Sequence, residues 1–252
     1  MQKATTIQQV LQQLDAIIAE SIQENNSIGL FAYVYRRTTA EIAKELALGN
    51  FENGQRLERM DVAFANLYLD AYKAYKNGLA VSKAWAIAFS NAAQPLTVLQ
   101  HIMLGMNAHI NLDLAIATAT SMENQDIKAI ENDFNKVNDI LFQITDELQD
   151  RLGRVSPLLF VLDLLGRNND EKIIDFSMRK ARQQAWNAAN LLWSLGPEDN
   201  QQAIKNLDIL IERLGAKLAN PPSFLVKYAL KLIQKFEKDE VGVIITKLSA
   251  DQ

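Results

Sequence analysis

Cysteine is absent from this chain of 252 residues, and glycine and proline are scarce, with ten and five residues. Without thiols, the chain has no disulfide, thiolate zinc site, iron–sulfur cluster or thiol nucleophile. So few helix breakers favour long helices and count against a β-sandwich, which needs a turn signal roughly every ten residues. Hydrophobic residues make up 48% of the chain, which is enough to bury a sizeable core.

A dense basic block is also missing. The net charge is −4, and the densest basic stretch, 179–182, is short and lies within an apolar helical pattern. Nucleic-acid-binding proteins usually carry a strongly basic face, so we expect no nucleic-acid partner. No segment approaches the roughly 18 consecutive apolar residues of a membrane span, and residues 1–20 do not resemble a signal peptide. These absences predict a cytoplasmic protein without a membrane span.

Apolar residues recur at steps of three and four along most of the chain, which indicates amphipathic α-helices. Asn-Ser, Asn-Gly, Gln-Pro and Gly-Pro steps separate these segments. We expect ten helices, over residues 4–24, 28–48, 54–76, 80–93, 96–121, 124–151, 158–165, 171–195, 199–218 and 221–247. No flexible linker and no repeat of 20 to 50 residues divides them. The sequence therefore predicts one all-α domain over residues 1–252, with a polar helix at its centre.

The common catalytic motifs are missing. The chain has no phosphate-binding loop, no dinucleotide-binding glycine pattern, no nucleophile elbow and no His-Glu-x-x-His zinc motif. A ferritin-like di-iron site needs Glu-x-x-His on each of two helices, and neither histidine here has a glutamate three residues before it. With only two histidines, the chain cannot supply a three-histidine metal site.

Both histidines lie in one predicted helix, within a concentrated polar cluster. His101, Gly105, His109 and Asp113 follow one another at steps of four, so they form a ladder along the helix. His109 and Asp113 are one turn apart and can touch or share a ligand. A glycine within a helix costs about 1 kcal/mol relative to alanine, so Gly105 indicates that something must approach the helix there.

Two interpretations of this cluster stay open. In the first, His109 and Asp113 bind one divalent zinc, iron or manganese ion, with Asp133 or Asp61 from another helix as a further ligand. In the second, the cluster is a buried hydrogen-bond network in which Asp113 orients His109. Asn107 and Asn111 form a second pair at a step of four, and they either clamp neighbouring helices or contact a ligand.

Arg182 and Asp61 are further polar residues on apolar helical patterns. Arg182 shares its stripe with Trp186, and a buried arginine needs an anion or a carboxylate as partner. Arg182 is therefore either an anion clamp or part of a structural ion pair with Asp61, Asp113 or Asp133. If the protein is an enzyme, we assign catalytic roles to His101, Asp61 and Arg182.

Aromatic residues recur at helical spacing in two early helices. We expect them to form core and rim packing, with a ligand pocket as the alternative. In a ligand-binding protein, Asn107, Asn111 and Trp186 are the expected contact residues. The aromatic residues are Phe31, Tyr33, Tyr35, Phe64, Tyr68, Tyr72 and Tyr75.

The stretch from Leu104 to Leu114, LGMNAHINLDL, resembles the signature of a bacterial family of α-helical proteins of unknown function. The resemblance covers roughly residues 28 to 195 and implies an all-helical fold without implying a reaction. The flanking residues that agree with it are Tyr35, Thr38, 49–51, Asp61, Phe64, Ala65, Tyr68, Trp85, Phe89, Asp133, Asn138, Arg182, Ala185 and Trp186.

The His109-x-x-x-Asp113 step is also similar to one ligand pair of zinc-dependent phospholipase C and the related single-strand nucleases. Those all-helical enzymes use several more histidines and an N-terminal tryptophan, whereas this chain has two histidines and begins Met1-Gln2. The similarity therefore implies at most a site with one metal.

Three hypotheses follow from the sequence. The chain is a helical protein whose polar cluster is structural, a binder of a small molecule or protein partner, or a metal-dependent hydrolase of the phosphoesterase kind. The first predicts closed packing with satisfied hydrogen bonds, whereas the last predicts a concave pocket and a stoichiometric metal ion.

Overall fold

The computed structural model describes residues 2–156, 158–159 and 173–250. Within these ranges the protein is all-α, with ten α-helices and no strand, as the sequence predicted. The helices are α1 (Ile7–Gln23), α2 (Ile28–Ala47), α3 (Gly54–Lys76), α4 (Lys83–Ser90), α5 (Val98–Ala108), α6 (Leu114–Ser121), α7 (Glu131–Val155), α8 (Ile173–Ala219), α9 (Phe224–Gln234) and α10 (Val241–Ser249). A π-helix, His109–Asp113, joins α5 to α6, and a 3₁₀ turn, Ile127–Ile130, precedes α7.

Polar side chains begin several of these helices. Thr6, Asn53 and Ser82 each accept a hydrogen bond from a backbone N–H in the first turn of α1, α3 and α4. Thr97 and Gln100 form a reciprocal capping box at the start of α5. Such caps satisfy the N–H groups that a first helical turn leaves unpaired, so they fix where each helix begins.

Two of the predicted helices are divided in the structure. The helix expected over 96–121 is interrupted by the π-helix. The helix expected over 221–247 is two helices, because hydrogen bonds hold the intervening turn against other parts of the chain: Glu237 accepts from Val98 N–H, and Asn25 accepts from Val241 N–H. The division expected between the helices over 171–195 and 199–218 is confirmed by a kink within α8 at Gly196, where the backbone is not helical and φ is +75°. The helix expected over 158–165 lies outside the described residues except for 158–159.

The segment formed by α5, the π-helix and α6 is the central element. It contacts α2, α3, α4 and α8, and nearly all the helices share one hydrophobic core with it. This confirms that the helix carrying His109 and Asp113 is central. Across the described ranges, none of the helices combines the length and apolar character that crossing a membrane requires.

Candidate functional site

A histidine–aspartate pair occupies the π-helix. His109 Nδ1 lies 2.9 Å from Asp113 Oδ2, and both side chains are almost completely buried. The prediction of a regular α-helix was wrong for these five residues. π-turns are rare and often occur at functional sites, so two buried acid–base groups within this π-helix make it a candidate functional site.

Trp85 of α4 holds the aspartate from another direction. Its Nε1–H donates to Asp113 Oδ2 over 2.9 Å, so two ring nitrogens converge on one carboxylate oxygen. A proton on His109 Nδ1 lets both rings donate to that oxygen and leaves Nε2 as an acceptor. In the described part of the chain, Nε2 is buried and has no hydrogen-bond partner.

Five aromatic rings enclose the His109 imidazole. Phe64 stacks on it, with ring centroids 3.7 Å apart and planes 8° apart. Tyr35 approaches edge-on, with its centroid at 4.4 Å. The remaining rings, with centroids between 5.8 and 6.0 Å away, belong to Phe31, Tyr68 and Trp85. This shell keeps the imidazole away from water and fixes its orientation.

A cavity of about 60 Å³ lies beside the imidazole. Asp113 does not line the cavity, so we assign Nε2 of His109 to the cavity side. Asp61 of α3 and Arg182 of α8 line it too, which brings together three residues selected from the sequence. Among the described residues the lining is mostly apolar: Phe31, Val34, Tyr35, Thr38, Ile42, Met60, Asp61, Phe64, Met106, His109, Ile110, Leu114, Val137, Leu141, Met178 and Arg182.

Three residues that line this cavity each carry a polar atom without a hydrogen bond among the described residues. The atoms are His109 Nε2, Asp61 Oδ2 and the Tyr35 hydroxyl, all fully buried. The Thr39 hydroxyl is near that of Tyr35, but the two do not meet in normal hydrogen-bond geometry. More than about 90% of buried polar groups in proteins have a partner, so three orphans on one cavity are unusual.

Arg182 lines the cavity, and the hydrogen-bond partners of its guanidinium are not carboxylates. Its guanidinium stacks 4.5 Å over the Phe134 ring, and it donates to the Phe134 carbonyl and to Asn138 Oδ1. No salt bridge joins it to Asp61 within the described residues, although the two charges interact. The ion pairs with Asp113 and Asp133 that the sequence left open do not form.

Burial sets the protonation states at this site. It raises the pKa of Asp61 to about 7, with the Arg182 charge acting in the opposite direction. Burial lowers the pKa of His109 well below its usual range and raises that of Asp113 well above it. Near neutral pH, His109 is therefore a neutral imidazole, and Asp61 is close to the midpoint of its titration.

His101 lies apart from this cavity. It lines a separate small cavity of about 20 Å³ with Gly105, Phe31 and Trp85, and burial lowers its pKa to about 4. Phe31 fills the space next to Gly105: a Cβ at this glycine would lie 2.3 Å from Phe31 Cγ. The space that a side chain at residue 105 would occupy is therefore filled by the Phe31 ring of the protein itself.

Asn107 and Asn111 link the central segment to α8. Asn107 Nδ2 donates to the Ile211 carbonyl over 2.9 Å, and Asn111 Nδ2 donates to Asn107 Oδ1 over 3.1 Å. Neither asparagine lines the cavity around His109. Their contacts are those of a helix clamp.

Asp133 also stands away from His109. Its two carboxylate oxygens accept from the backbone N–H groups of Glu52 and Asn53, just before α3, and it pairs with Arg56 over 3.4 Å. Among the residues described here, no group of three or more histidine, aspartate or glutamate side chains is placed to hold a metal ion. A ligand set of His109, Asp113 and Asp133 is therefore not assembled.

Trp186 borders an outer groove. It packs against Phe134, with ring centroids 5.0 Å apart, and it shares the groove with Asn138, Arg179 and Arg182. Arg182 lines both this groove and the inner cavity, so its side chain stands between the two spaces.

The sequence indicated Tyr35 and Phe64 as core or pocket residues but not that they enclose His109, and it did not indicate the role of Trp85. One signal was available for Trp85, because a buried indole N–H needs an acceptor and Asp113 was an obvious buried acid. Nothing in the spacing of residues showed that α4 packs beside the π-helix.

Comparison with known proteins gives a family and no activity. The model of a family of unknown function, DUF5995, matches residues 7–221. No curated protein matches the chain. No solved structure matches it either. The match spans most of the chain and includes every residue of the cavity, so the protein belongs to the DUF5995 family of unknown function.

Proposed function

We propose that this protein binds a small molecule with an apolar body and one hydrogen-bonding head group in the cavity beside His109. The observation that carries the proposal is the set of three orphaned polar atoms, on His109, Asp61 and Tyr35, around one mostly apolar cavity. A buried polar group without a partner costs about 1–3 kcal/mol. A ligand that supplies the missing partners would recover this free energy.

The polar atoms select the head group. His109 Nε2 is an acceptor in the tautomer described above, and Asp61 Oδ2 accepts whenever its carboxyl is ionised. The matching head group is therefore an O–H or N–H donor. A cavity of about 60 Å³ is large enough to hold water. A ligand that binds there must therefore displace that water and replace its hydrogen bonds.

The lining allows the cavity to enlarge around an apolar body. Met60, Met106 and Met178 all line it. Methionine side chains are unbranched and adjust easily to irregular shapes, so these three can repack around a molecule larger than the empty space.

Phenol and toluene test the proposal as a matched pair, because they differ in one O–H group. At millimolar concentration, we expect phenol to raise the melting temperature by about 3 °C more than toluene does, because only phenol donates a hydrogen bond. The measurement is thermal unfolding followed by circular dichroism.

Two ring substitutions provide the control. His109→Phe removes Nε2, so phenol should raise the melting temperature of this variant no more than toluene does. His101→Phe, at the separate cavity, should retain the larger rise with phenol. An equal effect of the two compounds on the unsubstituted protein would contradict the proposal. So would an advantage of phenol that survives in the His109→Phe variant.

Metal-assisted hydrolysis is the second candidate, and one specific observation favours it. Metal-binding histidines nearly always donate their other ring N–H to a carboxylate or carbonyl, and His109 has this arrangement with Asp113. In this candidate, His109 Nε2 and Asp61 would be the protein ligands, and Asp113 would orient the histidine.

Elemental analysis of the purified, untagged protein tests this candidate. It predicts about one zinc, iron or manganese ion per chain, lost in His109→Ala and retained in Asp133→Asn, whose carboxylate is engaged near α3. If the protein contains no metal, or if the metal persists in His109→Ala, this candidate is excluded and only the ligand-binding proposal remains.

A further inference from the structure

Helix α9 carries apolar side chains on two opposite sides. Phe224, Leu225 and Tyr228 are 79%, 64% and 64% exposed. At about 100° per residue, these three side chains lie within an arc of about 100°. The opposite side packs toward the protein through Ala229, Leu230 and Ile233. Phe236, just after the helix, is also 58% exposed.

Lysines border this exposed face. Residues 223–238 contain four lysines and one glutamate, in a chain whose net charge is −4. None of the four forms an ion pair within the described structure. Glu237 does not offset them at the surface, because it turns inward to accept from Val98 N–H and Ser156 Oγ. The lysines are Lys227, Lys231, Lys235 and Lys238.

We propose that the exposed face of α9 binds the surface of a lipid membrane that contains anionic lipids. The juxtaposition of exposed Phe224, Leu225 and Tyr228 with the four unpaired lysines carries this inference. In this arrangement the helix lies in the plane of the membrane. The aromatic and leucine side chains enter the boundary between headgroups and acyl chains, and the lysine ammonium groups contact anionic headgroups.

The charge pattern distinguishes this partner from the other possible ones. A second copy of this chain has a net negative charge overall. Its own α9, however, contains no acidic residue that could face these lysines. Nucleic acid would attract the lysines but would leave the Phe224 and Leu225 side chains in water. An anionic membrane satisfies both sets of side chains at once. The face also lies beyond residues 7–221, so it is independent of the ligand cavity and of the family match.

Vesicle flotation with the full chain tests the proposal. The probes are vesicles of phosphatidylcholine alone and of phosphatidylcholine with phosphatidylserine in a ratio of about three to one. We expect at least about tenfold stronger binding to the anionic vesicles, weakened by added salt. Phe224→Ser/Tyr228→Ser and Lys231→Glu/Lys235→Glu should each reduce that binding by about tenfold or more.

Leu48→Ala/Leu79→Ala is the matched control, because it removes two apolar side chains that are 62% and 65% exposed elsewhere on the protein. This variant should bind anionic vesicles like the unsubstituted chain. Circular dichroism of each variant checks that the fold is retained. Absence of vesicle binding, or equal binding by the Phe224→Ser/Tyr228→Ser variant, would overturn the proposal. A dimer that this substitution abolishes, without vesicle binding, would assign the face to a second copy and overturn it as well.

Discussion

Replacing Gly105 with alanine is expected to lower the free energy of unfolding by about 3 kcal/mol, at the upper end of the usual cost of overpacking a core. The new Cβ would lie 2.3 Å from Phe31 Cγ and 2.7 Å from Phe31 Cβ. A clash so close to the backbone of α2 cannot be relieved by rotating the end of a side chain. Phe31 also contacts His109, so its displacement would disturb the cavity. Denaturant unfolding measures the effect.

Gly153→Ala is the matched control for that substitution. Gly153 is also helical, but a Cβ there would have no neighbour within 4 Å. Alanine is favoured over glycine within a helix by up to about 1 kcal/mol, so this variant should be as stable as the unsubstituted protein or slightly more stable. Unchanged stability in Gly105→Ala would show that the ring of Phe31 is not held in place.

Asp61→Asn is expected to stabilise the protein, and the gain should grow with pH. The pKa of Asp61 is raised from 3.8 to about 7 in the folded state. The folded chain therefore holds this proton more tightly than the unfolded chain, so stability falls as pH rises from about 4 to about 7. A pKa difference of about 3 corresponds to roughly 4 kcal/mol once both states are ionised.

The variant removes this pH-dependent term. Near pH 4, where Asp61 is protonated, the asparagine variant and the unsubstituted protein should have similar stability; near pH 8, the variant should be more stable by up to roughly 4 kcal/mol. Asp70→Asn, an exposed position on the same helix, should change stability by less than about 0.5 kcal/mol at either pH. A constant difference between the Asp61→Asn variant and the unsubstituted protein would mean that the Asp61 carboxylate is not isolated in the folded state.

A stabilising substitution at Asp61 would also bear on function. Residues that weaken a protein by being buried without partners are commonly retained for binding or catalysis. The pH dependence would thus test the premise of the ligand-binding proposal without requiring the ligand.

The fold was predictable because its signals are local. Apolar spacing and the scarcity of glycine and proline indicated ten helices, and residues such as Thr6 and Ser82 begin them as ordinary caps. The turn between α9 and α10 was not predictable, since it depends on Glu237 and Asn25 accepting from distant backbone groups. Hydrogen bonds between distant segments leave no periodic trace in a sequence.

The candidate site was predictable only in part. Asp61, His109 and Arg182 stood out as polar residues on apolar helices, and the structure places all three on one cavity. His101 and Asp133 stood out for the same reason, and Trp186 because it shares a stripe with Arg182, but these three do not line that cavity. The distinction depends on which faces of α2, α3 and α8 meet the π-helix, and spacing within one helix carries no information about the rotation of its neighbours.

The π-helix divides the central segment into two parts, α5 and α6, whose apolar stripes face different directions. A π-turn holds one residue more than an α-turn, and one residue corresponds to a rotation of about 100° around the helix axis. The apolar stripe of α5 is therefore not continued in α6 but resumes on another side of the same rod. Accordingly, α5 packs against α2 and α4, whereas α6 packs against α3, and both reach α8. The central segment thereby contacts two groups of neighbouring helices, and its helical register changes at the π-helix that contains His109 and Asp113.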